Sequence, residues 1–209
     1  MARSKKKTEE IKEKNPEKEL EATSKNDSIK YKGTIGVSIL KNGKIIKTNK
    51  FHNNGRYPLF QFLCECLRGN YKNAEPFRPK YISLFNVSSA EYEKYKNGNT
   101  SINNLFNSGN RTTIGAISFK GTPYLNVSQD GINGTATLTY TFSIPFINLR
   151  NTDANAIALY GNENWDTSYI NPSAYYINVN SDGKLTKLIG ESLGSNYSVL
   201  VDWTMTFEN

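Results

Sequence analysis

At 209 residues the chain is long enough for one domain of ordinary size, or for a smaller domain carrying a substantial tail. No stretch approaches the roughly 20 apolar residues of a helical membrane span, and the charged N-terminus is followed by no apolar core of a secretory signal. The net charge of +7 divides into ten Lys/Arg against seven Asp/Glu over residues 1–32 and sixteen against twelve in the remainder, so neither part is a strong basic field.

Residues 1–32 are dominated by Lys, Glu, Asn, Ser and Thr, with Ile11 and Leu20 too sparse to make an apolar stripe. This segment reads as a flexible charged arm, and residues 33–209 as the folded domain. The one concentrated basic block, Arg3, Lys5, Lys6 and Lys7, reads as a solvated tail or an electrostatic attachment to a protein partner rather than to nucleic acid.

The domain opens on a hairpin. Ile35, Val37 and Ile39 alternate with Thr34, Gly36 and Ser38, Asn42-Gly43 supplies a tight turn, and Lys44 to Phe51 returns. A second turn is expected at Asn53-Asn54-Gly55, with His52 as a turn residue beside it. Pro58 to Arg68 then carries Leu59, Phe60, Phe62, Leu63, Cys66 and Leu67 at helical spacing, between a proline suited to a helix start and Gly69 suited to its end.

Tyr81 to Val87 reads as a buried strand, and Ser88 to Asn110 as a long polar insertion forming an exposed contact surface, with a helical turn around Glu91 to Tyr95. Ala136 to Phe146 and Val199 to Phe207 alternate strictly and are expected at the centre of the core, Trp203 included. Between them, Ala154 to Tyr160 is a strand, and Tyr175, Ile177 and Val179 lead through Asp182-Gly183 into Leu185 to Ile189 as a further hairpin. Eight to ten strands and one short helix predict a mainly β domain, an antiparallel β-sandwich or a jelly-roll-like arrangement.

The inventory for catalysis is thin. His52 is the single histidine, Cys64-x-Cys66 lacks zinc-knuckle spacing, and no carboxylate pair or phosphate loop stands out, so the expectation is no enzyme, no metal and no cofactor. The aromatic residues Trp165, Tyr169 and Tyr175 are the best local cluster for an exposed contact or for stacking on sugar rings.

His52-Asn53-Asn54-Gly55, then Leu59-Phe60-x-Phe62-Leu63, Leu67-x-Gly69 and Arg78-Pro79-x-x-Ile82, resembles a pattern in small β-rich structural proteins of tailed bacteriophages whose hosts have AT-rich genomes. The ending Val199-Leu200-Val201-Asp202-Trp203-Thr204-Met205-Thr206-Phe207-Glu208-Asn209 is similar in the same way. The resemblance implies a virion component of the tail, the head-to-tail connector or the capsid surface, made in the host cytoplasm and located in the particle. Its partners would be other virion proteins and copies of itself, with the arm docking on a neighbouring subunit. The alternative is a carbohydrate-binding or receptor-binding module that recognises a host-surface glycan.

Overall fold

The computed structural model describes residues 30–74, 78–130, 133–161, 171–190 and 193–208. Two antiparallel five-strand sheets pack face to face as a sandwich, with a few short helices around them. The first sheet runs β6 (Tyr124–Asp130), β7 (Asn133–Pro145), β10 (Tyr197–Glu208), β1 (Lys30–Lys41) and β2 (Lys44–Gly55). The second contains β3 (Tyr81–Asn86), β8 (Ala156–Tyr160) and β9 (Ala174–Ile177), with β4 (Asn110–Arg111) and β5 (Ile117–Ser118) both pairing with β3.

The first sheet explains its own alternation. Ile35, Val37 and Ile39 of β1, Val199, Val201, Trp203 and Met205 of β10, and Tyr140, Phe142 and Ile144 of β7 are buried on its inner face. Its outer face is open to water and is lined by hydroxyls that bond across the strands, Thr139 to Thr204 at 3.0 Å, Ser38 to Thr48 at 2.8 Å and Thr141 to Asp202 at 2.7 Å. The long strands β7 and β10 lie together in this sheet, as their periodicity predicts. The Asn42-Gly43 turn is also as expected, with both residues at positive φ, 49° and 76°.

The second sheet is covered on both faces, so β3, β8 and β9 read as mainly apolar runs and not as an apolar/polar alternation. Ile82, Leu84, Ile157 and Leu159 face the main core, whereas Phe85, Ala156, Ala158 and Tyr160 face a smaller cluster on the other side. Two helices cover that side, α3 (Ser89–Lys96) and α4 (Ile102–Ser108), after α1 (Tyr57–Leu67) and the single turn α2 (Tyr71–Ala74). The expected polar insertion at Ser88 to Asn110 is therefore a structural layer. Ser88 and Ser101 cap the two helices through their side chains, and Ile102, Leu105 and Phe106 are buried.

Four α-helices and a 3₁₀ turn at Phe146–Asn148 stand among the described residues where one helix was expected, with a helical turn around Glu91 to Tyr95 that falls within α3. Helix α1 matches its predicted span, with a proline in its first turn and Gly69 at φ 72° beyond its end. Its stripe is only partly covered: Leu59 is buried and Leu63 packs on the core, but Phe60 and Leu67 are exposed. Asn53-Asn54-Gly55 is not a turn. Here β2 runs on, pairing Asn54 with Tyr175 and Gly55 with Ala174, and so carries the chain from the first sheet to the second. Pairing on β9 overrides the local turn preference of the sequence. His52 accordingly lies within β2 opposite Thr34, with its side chain exposed.

Lys30, Tyr31 and Lys32 belong to the sheet, since β1 pairs with β10 from Lys30 onward. The expected hairpin at 175–189 is reduced to a tight turn closed by the single bridge Val179 to Leu185, while Leu188 and Ile189 fold back into the main core.

Candidate assembly surface

The borders formed by β4 and β5, by β2 and by β6 are finished differently. In the second sheet β4 and β5 are two residues long, too short to template another strand. In the first sheet β2 carries Lys44, Lys47 and Lys50 and has a register irregularity opposite Ile39 and Leu40, two devices that discourage edge pairing. β6, at the opposite border, has neither. It pairs with β7 in unbroken register over seven residues, every one of them exposed, with no lysine, proline or bulge and with a single charge at its last position, Asp130.

β6 also exposes apolar side chains. Tyr124, Leu125 and Val127 are 69%, 61% and 67% exposed. Leu125 lies opposite Leu138 and Val127 opposite Ala136, which in turn lie opposite Met205 and Phe207 of β10. Leu125 and Val127 thus sit on the face of the first sheet that elsewhere forms the core. At this end the sheet extends past its cover, leaving a shallow groove of about 320 Å³ floored by Val127, Ala136 and Phe207. Aromatic packing continues the apolar surface from there, with Tyr31 5.6 Å from Phe207 and 5.9 Å from the part-exposed ring of Phe60 on α1.

The sequence reading did not single out β6, although Leu125 and Val127 alternate with Asn126 and Ser128, and Gly131 and Gly134 mark the return. What the alternation could not reveal is that its apolar face lies beyond the end of the second sheet.

Of the residues expected at contact surfaces, Arg3, Lys5, Lys6, Lys7, Trp165 and Tyr169 lie outside the described residues. Tyr175 is half-buried in the smaller cluster: its ring stands edge-on to Phe106 at 6.0 Å and its hydroxyl meets that of Tyr95 at 2.8 Å. Burial, and then the hydrogen bond and the neighbouring hydroxyl of Tyr95, hold the Tyr175 hydroxyl well above the usual tyrosine value.

Cys64 is exposed and Cys66 half-buried. Among the described residues no three His, Cys, Asp or Glu gather as a metal site, and no helix is long and apolar enough to cross a membrane. A second depression, of about 440 Å³, lies on the outer face of the first sheet around Gly36, where Thr34, His52, Asp202 and Thr204 surround a position without a side chain. No family model, no curated protein and no solved structure matches the chain.

Proposed function

We propose that the chain is a structural component of a bacteriophage virion, at the tail, the head-to-tail connector or the capsid surface, that assembles through protein–protein contacts. The observation that carries this reading is the apolar border of the first sheet, where β6 is the outermost described strand and Leu125 and Val127 are left open beside Phe207. A sheet edge of this length and character is a template for another strand, and elsewhere in the domain the edges are shortened or charged. The resemblance to small virion proteins points the same way, and residues 1–29 enter β1 at the end of the sheet that holds Tyr31 and Phe207. The arm, with Arg3, Lys5, Lys6 and Lys7, would then dock on a neighbouring subunit.

Mass spectrometry of gradient-purified particles of the encoding phage should find the chain at a fixed ratio to the known tail or head proteins. A deletion of residues 2–28, which spares β1, should keep the circular dichroism spectrum and remove the chain from particles. Full-length chain absent from particles would overturn the virion reading, and normal incorporation of the deletion would overturn the role of the arm.

A second reading, recognition of a host-surface glycan, is favoured by the depression around Gly36. A side chain there would meet nothing closer than Asp202 Cβ at 3.8 Å, so packing does not demand glycine, and a bare strand position admits close approach of a ligand between hydroxyls and a carboxylate. Glycan-array binding that is lost in Gly36→Val would support it, and an empty array with the wild-type chain would remove it.

A further inference from the structure

We infer that the partner of β6 is β6 of a second copy, paired antiparallel about a twofold axis that passes through Asn126 perpendicular to the sheet. The inference rests on the assembly reading for the claim that this edge is occupied, and adds what occupies it.

The argument begins with symmetry. A twofold axis normal to a sheet keeps each face on its own side, so residues that meet across the new edge must share a face, and the axis must pass through a residue rather than between two. Three centres lie among the apolar residues. Centring on Leu125 sets Val127 against Pro123, and centring on Val127 sets Leu125 against Gln129. Centring on Asn126 sets Leu125 against Val127 twice over, on the open inner face, and Tyr124 against Ser128 on the outer face. Only this register pairs both apolar residues with apolar residues, and it places no charge opposite a like charge, because residues 124–129 carry none.

The register also treats the overhang as a whole. Leu125 and Val127 continue the row formed by Leu138, Ala136 and Phe207, so two copies joined at β6 bring their bare inner faces together into one apolar surface. A foreign strand would satisfy the backbone of β6 but would have to supply this row from its own sequence; a second copy supplies it already in register. The β2 border, with Lys44, Lys47 and Lys50, would instead set positive charges against one another in a self-pair. The register pairs Tyr124 to Ser128 of β6, five residues a side and well short of the roughly 20–30 of a standard interface, so the pair forms reversibly with concentration in solution.

The test uses the full-length chain. Light scattering after size exclusion should show the mass doubling as concentration rises, and Val127→Lys, which replaces both Leu125–Val127 pairs at once, should weaken dimerisation by about tenfold or more. In a Cys64→Ser, Cys66→Ser background, Asn126→Cys should oxidise to a disulfide-linked dimer, since directly opposed residues hold their Cα atoms about 4.5–5.5 Å apart, within the span of a disulfide. Ser128→Cys should not, because its two copies stand four residues, about 13 Å, apart along the strands. A monomer at every concentration, a dimer indifferent to Val127→Lys, or equal cross-linking at both positions would overturn the inference. Each variant's circular dichroism spectrum separates loss of pairing from loss of fold. A monomer that is still found in particles would sink self-pairing alone, whereas a dimer absent from particles would sink the virion reading alone.

Discussion

The hydroxyl of Tyr31 donates to Oδ1 of Asn53 at 2.7 Å, and the carboxamide so held lies over Gly33, its register partner on β1. A Cβ at Gly33 would overlap that carboxamide, and one at Gly55 would stand 2.8 Å from the Tyr31 ring. Two glycines, a tyrosine and an asparagine thus form one interlocked unit where β2 passes between the sheets. Gly33→Ala should cost about 1–3 kcal/mol through overpacking, and Tyr31→Phe about 1–2 kcal/mol by removing the donor to a buried amide. Urea denaturation followed by circular dichroism measures both, and a Gly33→Ala midpoint equal to wild type would mean that the carboxamide has another place to go.

Asn155 performs a comparable task on the second sheet. Its Oδ1 accepts from the backbone N–H of Val87 at 2.9 Å and its Nδ2 donates to the Val87 carbonyl at 2.8 Å, closing the end of β3 against the start of β8. Asn155→Ala leaves both backbone groups buried without a partner and should cost about 2–4 kcal/mol. Thr139→Ala, on the solvent face, should change stability by about 0.5 kcal/mol or less. Equal effects of the two substitutions in thermal or urea unfolding would contradict this division.

The layer formed by α3 and α4 gives a sharper contrast. Phe106 is buried between Phe85 and Tyr175, with ring centroids at 5.0 and 6.0 Å. Phe106→Ala should cost about 3–5 kcal/mol, the loss typical of a truncated core aromatic. An exposed contact loop would tolerate the same change almost without effect, so the unfolding midpoint discriminates between the two descriptions.

Alkaline pH should unfold the domain through its tyrosines. Burial raises the hydroxyls of Tyr31, Tyr140, Tyr160, Tyr175 and Tyr176 above the ordinary value of 10.0. The folded state therefore keeps protons that the unfolded chain releases. Its stability should be flat with respect to these groups below about pH 10 and fall as pH rises through the folded-state values above it. Absorbance at 295 nm should show these hydroxyls ionising late and together with loss of the circular dichroism signal. Complete titration near pH 10 with the fold intact would contradict their burial.

Strands with one wet face were legible in the sequence, because β1, β7 and β10 alternate between a core side and a hydroxyl-lined side. β3 and β8 were legible too, as short apolar runs, although α3 and α4 are what make them so. Of those helices α3 was legible as the helical turn around Glu91 to Tyr95, whereas α4 was hidden: Ile102, Leu105 and Phe106 carry the helical spacing, but in a stretch so rich in Asn and Ser that a polar loop is the natural reading. At Asn53-Asn54-Gly55 the local signal was present and lost to a tertiary one, the pairing with β9. The assembly surface is the least legible part. Leu125 and Val127 have the spacing of core residues, and only the extent of the opposite sheet decides that they are left open.

The position of β1 bears on how the domain would answer to force. The arm enters at Lys30, and from there β1 is clamped along its whole length by β10 and from Gly33 onward by β2. A pull delivered through the arm along the strand loads these hydrogen bonds in shear, all together, rather than peeling them one by one from an edge. A load applied to the chain at Lys30 therefore falls on an interior strand, held from both sides over most of its length, and not on an edge.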